Sequence, residues 1–76
     1  MMSAMTTSPL SVSQRLAENV RRLRDEKGWT QNRLAIEAQM HHNQISSVER
    51  ARSNVRIDIV EKLAVALGVS MGSLLD

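Results

Sequence analysis

Residues 30–50 read TQNRLAIEAQMHHNQISSVER and carry the clearest pattern in the chain. Apolar residues spaced three or four apart predict two short helices there, over 31–38 and about 42–51. Residues 39–41 interrupt the spacing and predict a turn between the two helices. The residues expected to face a core are Leu34, Ala35 and Ala38 in the first helix, and Ile45 and Val48 in the second.

Helical spacing continues on both sides of this pair. Before it, Ser11 and Gln14 have the spacing of a capping box, which opens a helix over 11–27. After it, the pattern predicts a helix over 57–67 and a short fifth helix capped by Ser70. The expected inward residues are Leu16, Val20 and Leu23 in the first of these helices and Ile57, Val60, Leu63, Ala64 and Leu67 in the second; the short fifth helix contains Leu74 and Leu75.

No segment shows the alternation of apolar and polar residues that is typical of a strand. We therefore predict an all-α fold, in which five short helices surround one core over residues 11–76. Residues 1–10 have no period and are expected to form a flexible arm. Trp29 is the single aromatic residue, and we expect it to pack into the core rather than to stack on a ligand.

Composition excludes several classes of protein. The chain has 76 residues and no cysteine, so it contains one small domain without disulfides, thiol catalysis or cysteine zinc sites. No apolar run approaches the roughly 18 residues of a membrane span, and the first residues do not read as a secretory signal. Ten Lys and Arg against eight Asp and Glu give a net charge of +2, which is too small to establish a nucleic-acid partner. Whether the chain binds nucleic acid has to be judged from where its polar and basic residues lie.

Catalysis and metal binding are poorly supported. Ser46 and Ser47 lie near His41 and His42 in the sequence, but five short helices leave little volume for a pocket that joins a nucleophile, a base and an orienting group. Metal-binding histidines on one helix face are spaced i, i+4, whereas adjacent residues point about 100° apart. We expect no enzyme activity, no metal and no cofactor.

The outer face of the predicted third helix is unusual in being polar but uncharged until its last turn. Opposite the buried Ile45 and Val48, this face carries Asn43, Ser46, Ser47 and Arg50, with His42 and Gln44 on its flanks. Amide, hydroxyl and imidazole groups suit hydrogen bonding to base edges, and Asn or Gln pairs with adenine through two bonds. On composition alone, a plain polar helix face is an equally good interpretation.

Groups suited to phosphate flank this face and favour the base-reading interpretation. Thr30 and Gln31 open the second helix, where free N–H groups and the helix dipole attract an anion. Arg50, Arg52 and Arg56 follow the third helix closely. Recognition of a double helix needs such positioning groups beside the groups that read bases.

One pair of charges is expected to be structural. Arg24 and Glu49 lie at the edges of the apolar stripes of the first and third helices. A salt bridge between them would set the angle of the two helices while satisfying both charges.

The chain resembles the Cro/repressor-like helix-turn-helix family, also called XRE or lambda-repressor-like. The resemblance lies in three blocks with a joint spacing, WTQNRLA at 29–35, ISSVER at 45–50 and LAVALGVS at 63–70. It covers about residues 16–75. The stretch ERARSN at 49–54 is also similar to small controller proteins of restriction–modification systems.

The resemblance implies a five-helix fold whose third helix enters the major groove, usually as a homodimer on a palindromic site. It implies that the bases face His42, Asn43, Gln44 and Ser47, with His41 and Ser46 beside them. It implies that Gln31 contacts phosphate and supports the reading helix. It implies that Arg50, Arg52 and Asn54 hold the backbone, and that Arg24 and Glu49 form the family's ion pair.

The sequence departs from the family pattern at three places. Gln39 stands where the turn usually has Gly, so Gln39 adopts a positive φ or the turn differs. His41 replaces a frequent Ser or Thr cap before the third helix. Ala51 and Val55 replace a frequent Gly and Pro in the loop that follows.

The sequence thus predicts a cytoplasmic regulator, bacterial or phage-encoded, that binds double-stranded DNA and acts by occupancy without an evident small-molecule effector or membrane partner. The alternative is a protein-interaction module, such as an antitoxin or adaptor, which would use the same helices on a protein partner. A homodimer is favoured because so short a chain buries little surface alone. Its candidate interface residues are Ile59, Val65, Met71 and Leu75; scattered surface apolar residues are the alternative interpretation.

Overall fold

A computed structural model describes residues 10–52 and 54–76. Apart from Leu10, the arm predicted at 1–10 lies outside the described residues. The described residues form five α-helices and no strand, as predicted. The helices are α1 (Val12–Glu26), α2 (Gln31–Ala38), α3 (His42–Glu49), α4 (Ile57–Leu67) and α5 (Met71–Leu75).

Three of these helices begin at a hydroxyl residue that caps the first turn. Ser11 Oγ accepts from the Gln14 N–H at 3.1 Å while Gln14 Oε1 accepts from the Ser11 N–H at 2.8 Å, which completes the predicted capping box. Thr30 Oγ1 accepts from the Arg33 N–H at 3.0 Å, and Ser70 Oγ accepts from the Ser73 N–H at 3.1 Å. The caps therefore form where the sequence predicts them.

The core lies where α1 packs against α3 and α5, and α2 packs against α3 and α4. Its largest fully buried side chains are Leu16, Val20, Leu34, Ile45, Leu63 and Leu74. Trp29 is half-buried against this core, with Lys27 Nζ 5.1 Å and the Arg33 guanidinium carbon 5.0 Å from its ring centroid. Ile57, expected to face inward, is 67% exposed, because it is the first residue of α4 and lies off the centre of the buried stripe.

The turn between α2 and α3 keeps the geometry that usually calls for glycine. Gln39 has φ 56° and ψ 49°, so it adopts the positive φ expected of it. The Gln39 N–H donates to the Ile36 carbonyl at 3.2 Å and the Met40 N–H to the Ala35 carbonyl at 2.9 Å. These two bonds form a Schellman motif, which ends α2 and directs the chain into α3.

The end of α3 repeats this motif and corrects its predicted boundary. The helix stops at Glu49 rather than near Ala51, because Ala51 has φ 53°. The Ala51 N–H donates to the Val48 carbonyl at 3.0 Å, and the Arg52 N–H donates to the Ser47 carbonyl at 3.1 Å. Each of the two helices, α2 and α3, thus ends at a left-handed residue that carries a Cβ.

Replacing Ala51 with glycine is expected to stabilise the protein. The left-handed conformation costs an L-residue roughly 1–2 kcal/mol, and the greater freedom of glycine in the unfolded chain cancels part of that gain. We expect Ala51→Gly to raise the free energy of unfolding by about 0.5–1 kcal/mol, and the Tm by roughly 2–8 °C in a thermal melt. The same change at Ala66, inside α4, is the control and lowers the Tm. A lower Tm for Ala51→Gly would contradict the left-handed assignment.

Candidate nucleic-acid interface

The outer face of α3 presents polar side chains that have no partner within the described chain. His42, Asn43 and Arg50 are exposed, and Ser47 is half-buried, while Ile45 and Val48 are buried on the opposite side as predicted. Within residues 10–52 and 54–76, the side chains of His42, Asn43 and Ser47 make no hydrogen bond. Their donors and acceptors are therefore available to another molecule.

Gln44 and Ser46, which were also predicted to read bases, each make one hydrogen bond within the domain. Gln44 Oε1 accepts from the His41 N–H at 2.9 Å, so Gln44 helps to begin α3 after His41, which lacks a hydroxyl. Ser46 Oγ donates to Gln31 Oε1 at 3.0 Å. These two hydrogen bonds help to position α3.

Gln31 links the start of α2 to the middle of α3. While its Oε1 accepts from Ser46, its Nε2 donates to Glu49 Oε1 at 3.1 Å. Both ends of the amide are occupied, so the side chain supports the reading helix, as the resemblance implies. The Gln31 backbone N–H lies in the first turn of α2, where the helix supplies no acceptor.

Glu49 is the centre of this network and is only 3% exposed. Arg24 Nε donates to Glu49 Oε2 at 2.7 Å and Arg24 Nη2 donates to Glu49 Oε1 at 3.0 Å, so the expected ion pair forms with two-bond geometry. Arg24 Nη1 also donates to the Trp29 carbonyl at 2.8 Å. Hydrogen bonding to Glu49 raises the pKa of Arg24 against the opposing effect of burial, so the guanidinium keeps its charge.

Candidate phosphate-binding groups lie on both flanks of α3. On one flank, the start of α2 is held beside α3 through Gln31, with Thr30 exposed. On the other flank, Asn54 and Arg56 border a groove next to α3. The Arg56 side chain is 82% exposed and pairs with Asp58 at 3.2 Å. Arg50 and Arg52, exposed at the end of α3, have no ion-pair partner among the described residues.

Several polar contacts that join distant parts of the chain were not predicted from the sequence. Arg21 Nη1 donates to the Glu49 carbonyl at 2.6 Å and so ties α1 to the end of α3. Arg15 Nε donates to the Leu75 carbonyl at 3.0 Å, and Asn19 Nδ2 to the Leu74 carbonyl at 2.9 Å. These contacts hold α5 against α1. Their partners lie 28 to 60 residues away, so no local pattern signals them.

The candidate dimer residues differ in exposure. Val65 is 76% exposed on the outer side of α4. Ile59, Met71 and Leu75 are half-buried and already pack against the core on one side.

None of the described helices is long and apolar enough to cross a membrane. In the same part of the chain, no group of three or more His, Cys, Asp or Glu side chains is arranged to hold a metal ion.

The five-helix fold and the exposed α3 define a helix-turn-helix domain of the Cro/repressor-like class. The sequence model of the helix-turn-helix domain family matches residues 15–76, so the chain belongs to this family. The resemblance seen in the sequence is thereby confirmed, and the family consists of regulators rather than enzymes.

Similar proteins include transcription factors and controller proteins. A hypothetical transcription factor of Neisseria meningitidis is 43% identical over 60 residues, which cover 79% of this chain but 57% of that protein. The solved structure of a hypothetical transcription factor from Neisseria matches with a TM-score of 0.85 and 36% identity, covering 100% of this chain and 87% of the other. The control protein C.BamHI of Bacillus amyloliquefaciens is 42% identical over 60 residues, covering 78% of this chain and 74% of that protein.

A further similar structure was solved with nucleic acid. SinR of Bacillus subtilis, in complex with DNA, has a TM-score of 0.75 and 34% identity, covering 80% of this chain and 98% of the SinR chain.

Proposed function

We propose that this chain is a sequence-specific regulator of transcription that places α3 in the major groove of double-stranded DNA. The observation that carries the proposal is the set of uncommitted polar groups on His42, Asn43 and Ser47, on a helix whose other side is hydrogen-bonded into the domain. The major groove admits an α-helix and presents a distinct pattern of donors and acceptors for each base pair. The SinR complex with DNA supports the same use of this fold.

Affinity comes from the flanks of α3. The first N–H groups of α2 contact the phosphates of one DNA strand. The phosphates of the other strand are contacted by groups that follow α3, namely Arg50, Arg52, Asn54 and Arg56. Thr30 donates its hydroxyl to the first strand while its oxygen caps α2. Contacts of this kind set position and affinity and do not distinguish bases, so discrimination is left to the outer face of α3.

Two copies bind together on a palindromic operator. Each half-site takes one α3, and the two half-sites lie about one turn of DNA apart, about 34 Å. Exposed apolar surface on α4 and α5, around Val65, Met71 and Leu75, forms the contact between copies, whereas Ile59 lines the groove beside α3. The protein acts in the cytoplasm of a bacterium, encoded there or by a phage, and regulates by occupying promoter DNA.

Selection of bound duplexes from a random pool tests the proposal. We expect a palindromic consensus whose two half-sites are about one turn apart. Recovery of no preferred sequence at low salt, together with a co-purifying protein, would favour the protein-interaction module instead.

Removing the charge of Arg52 is expected to weaken binding to all duplexes alike. Arg52 is exposed and has no ion-pair partner among the described residues, so it is free to meet a phosphate. In titrations at several salt concentrations, Arg52→Ala reduces the slope of log affinity against log salt by about 1, without changing the preferred sequence. Lys62→Ala removes an exposed charge from α4 and leaves the slope unchanged. A changed consensus for Arg52→Ala would contradict its assignment to the backbone.

A further inference from the structure

A groove of about 330 Å³ is lined by residues of α3, of the loop that follows α3 and of the start of α4. Its apolar lining, called the floor below, consists of Val48, Val55 and Ile59. Its polar lining, called the rim below, consists of Asn43, Gln44 and Ser47 on α3 and of Asn54 and Arg56 in the loop. An apolar floor is thus set between groups proposed to read bases and groups proposed to hold a backbone strand.

Base edges across the major groove differ in polarity as well as in hydrogen bonding. Thymine is the base that presents an apolar group there, its 5-methyl, and apolar side chains contact that methyl group. The methyl lies on the side of the base pair nearest its own strand's backbone. A surface that holds that backbone through Asn54 and Arg56 therefore brings the methyl of the same strand toward the groove floor.

We propose that this groove holds the 5-methyl edge of a thymine, on the strand whose phosphates meet Asn54 and Arg56. The inference rests on the proposed function and adds a second mode of readout to the hydrogen bonds of α3. Val55 is the specificity-determining residue, because it is half-buried on the groove floor and belongs to the loop rather than to the reading helix. This also gives a reason for an apolar residue at 55, between two polar rim residues.

Exchanging thymine for deoxyuridine tests the proposal, because the exchange removes the methyl group and keeps every base-pairing group. Each thymine of the selected operator is replaced in turn, on each strand, and the dissociation constant is measured. We expect one position per half-site, on one strand, to lose about 3- to 10-fold in affinity, the range for withdrawing one methyl from apolar burial. The other positions change by less than about 2-fold.

Variants show whether the groove is responsible. In Val55→Ala, we expect the sensitive thymine to be replaced by deoxyuridine with less than about 2-fold effect, because the floor no longer contacts the methyl. Val12→Ala is the control: Val12 is 53% exposed on α1, outside the groove, and its removal leaves the sensitivity unchanged.

Three results would overturn the inference while leaving the proposed function intact. The first is an operator in which deoxyuridine exchange is neutral at every position. The second is a Val55→Ala protein that remains fully sensitive to the loss of the thymine methyl. The third is a loss of dimers in Val55→Ala, measured by sedimentation, which would place a second copy in the groove. The first measurement uses the unmodified protein and does not depend on the folding of a variant. Failure to select any duplex would instead reject the proposed function.

Discussion

Replacing Glu49 with alanine is expected to lower the free energy of unfolding by about 3–5 kcal/mol, the range for stranding one partner of a buried ion pair. The substitution leaves Arg24 without its two carboxylate bonds and leaves the Gln31 amide without an acceptor. A domain of this size has only about 5–15 kcal/mol of stability in total. Urea unfolding followed by far-ultraviolet circular dichroism measures the loss.

The matched control is Glu26→Ala. Glu26 pairs with Arg22 at 3.4 Å, and both side chains are more than half exposed, so the screened pair contributes little. We expect a change below about 0.5 kcal/mol for this variant. A Glu49→Ala protein as stable as Glu26→Ala would show that the network around Arg24 does not hold α1 and α3 together.

Replacing Asn43 with alanine is expected to alter which sequences are bound. The exposed Asn43 amide makes no hydrogen bond within the described chain and is suited to a two-bond pair with adenine. Loss of one such pair removes about 1–3 kcal/mol of discrimination between the correct and the wrong base. Titration of the operator and of variants at each base pair shows the loss at one position of each half-site.

A second exposed asparagine provides the comparison. Asn32 lies on α2, away from the outer face of α3, and Asn32→Ala keeps the base preference of the unchanged protein. If Asn43→Ala weakened every duplex to the same extent, Asn43 would be a backbone contact, and the direct reading of bases would pass to His42 and Ser47.

The elements of this fold were predictable because the signals that form them are local. Ser11 with Gln14, and Thr30 with the Arg33 N–H, are caps that act within three residues. The bounds of α2 and α4 match their apolar spacing for the same reason. The end of α3 was predicted too late in the sequence. Glycine at this position would have indicated a left-handed residue that ends the helix, whereas alanine gives no such signal.

The candidate interface was predictable as a face but not as a set of free groups. Helical spacing places Asn43 and Ser47 opposite Ile45, with His42 on a flank, and Ile45 is buried while His42 and Asn43 are exposed. Spacing does not show which polar groups are already in use. Gln44 Oε1 accepts from the His41 N–H, and Ser46 Oγ donates to Gln31, 15 residues earlier in the chain.

The amino-acid sequence by itself determines the five helices, their caps and the polar outer face of α3. Each of these features depends on interactions between residues a few positions apart. Packing settled the rest. It brought Arg24 and Gln31 against Glu49 and Ser46 of α3, across 15 to 25 residues of chain that no local pattern spans. The physical reason is that a side chain's hydrogen-bonding capacity is a property of its neighbours in space, and those neighbours are assembled only when the helices pack.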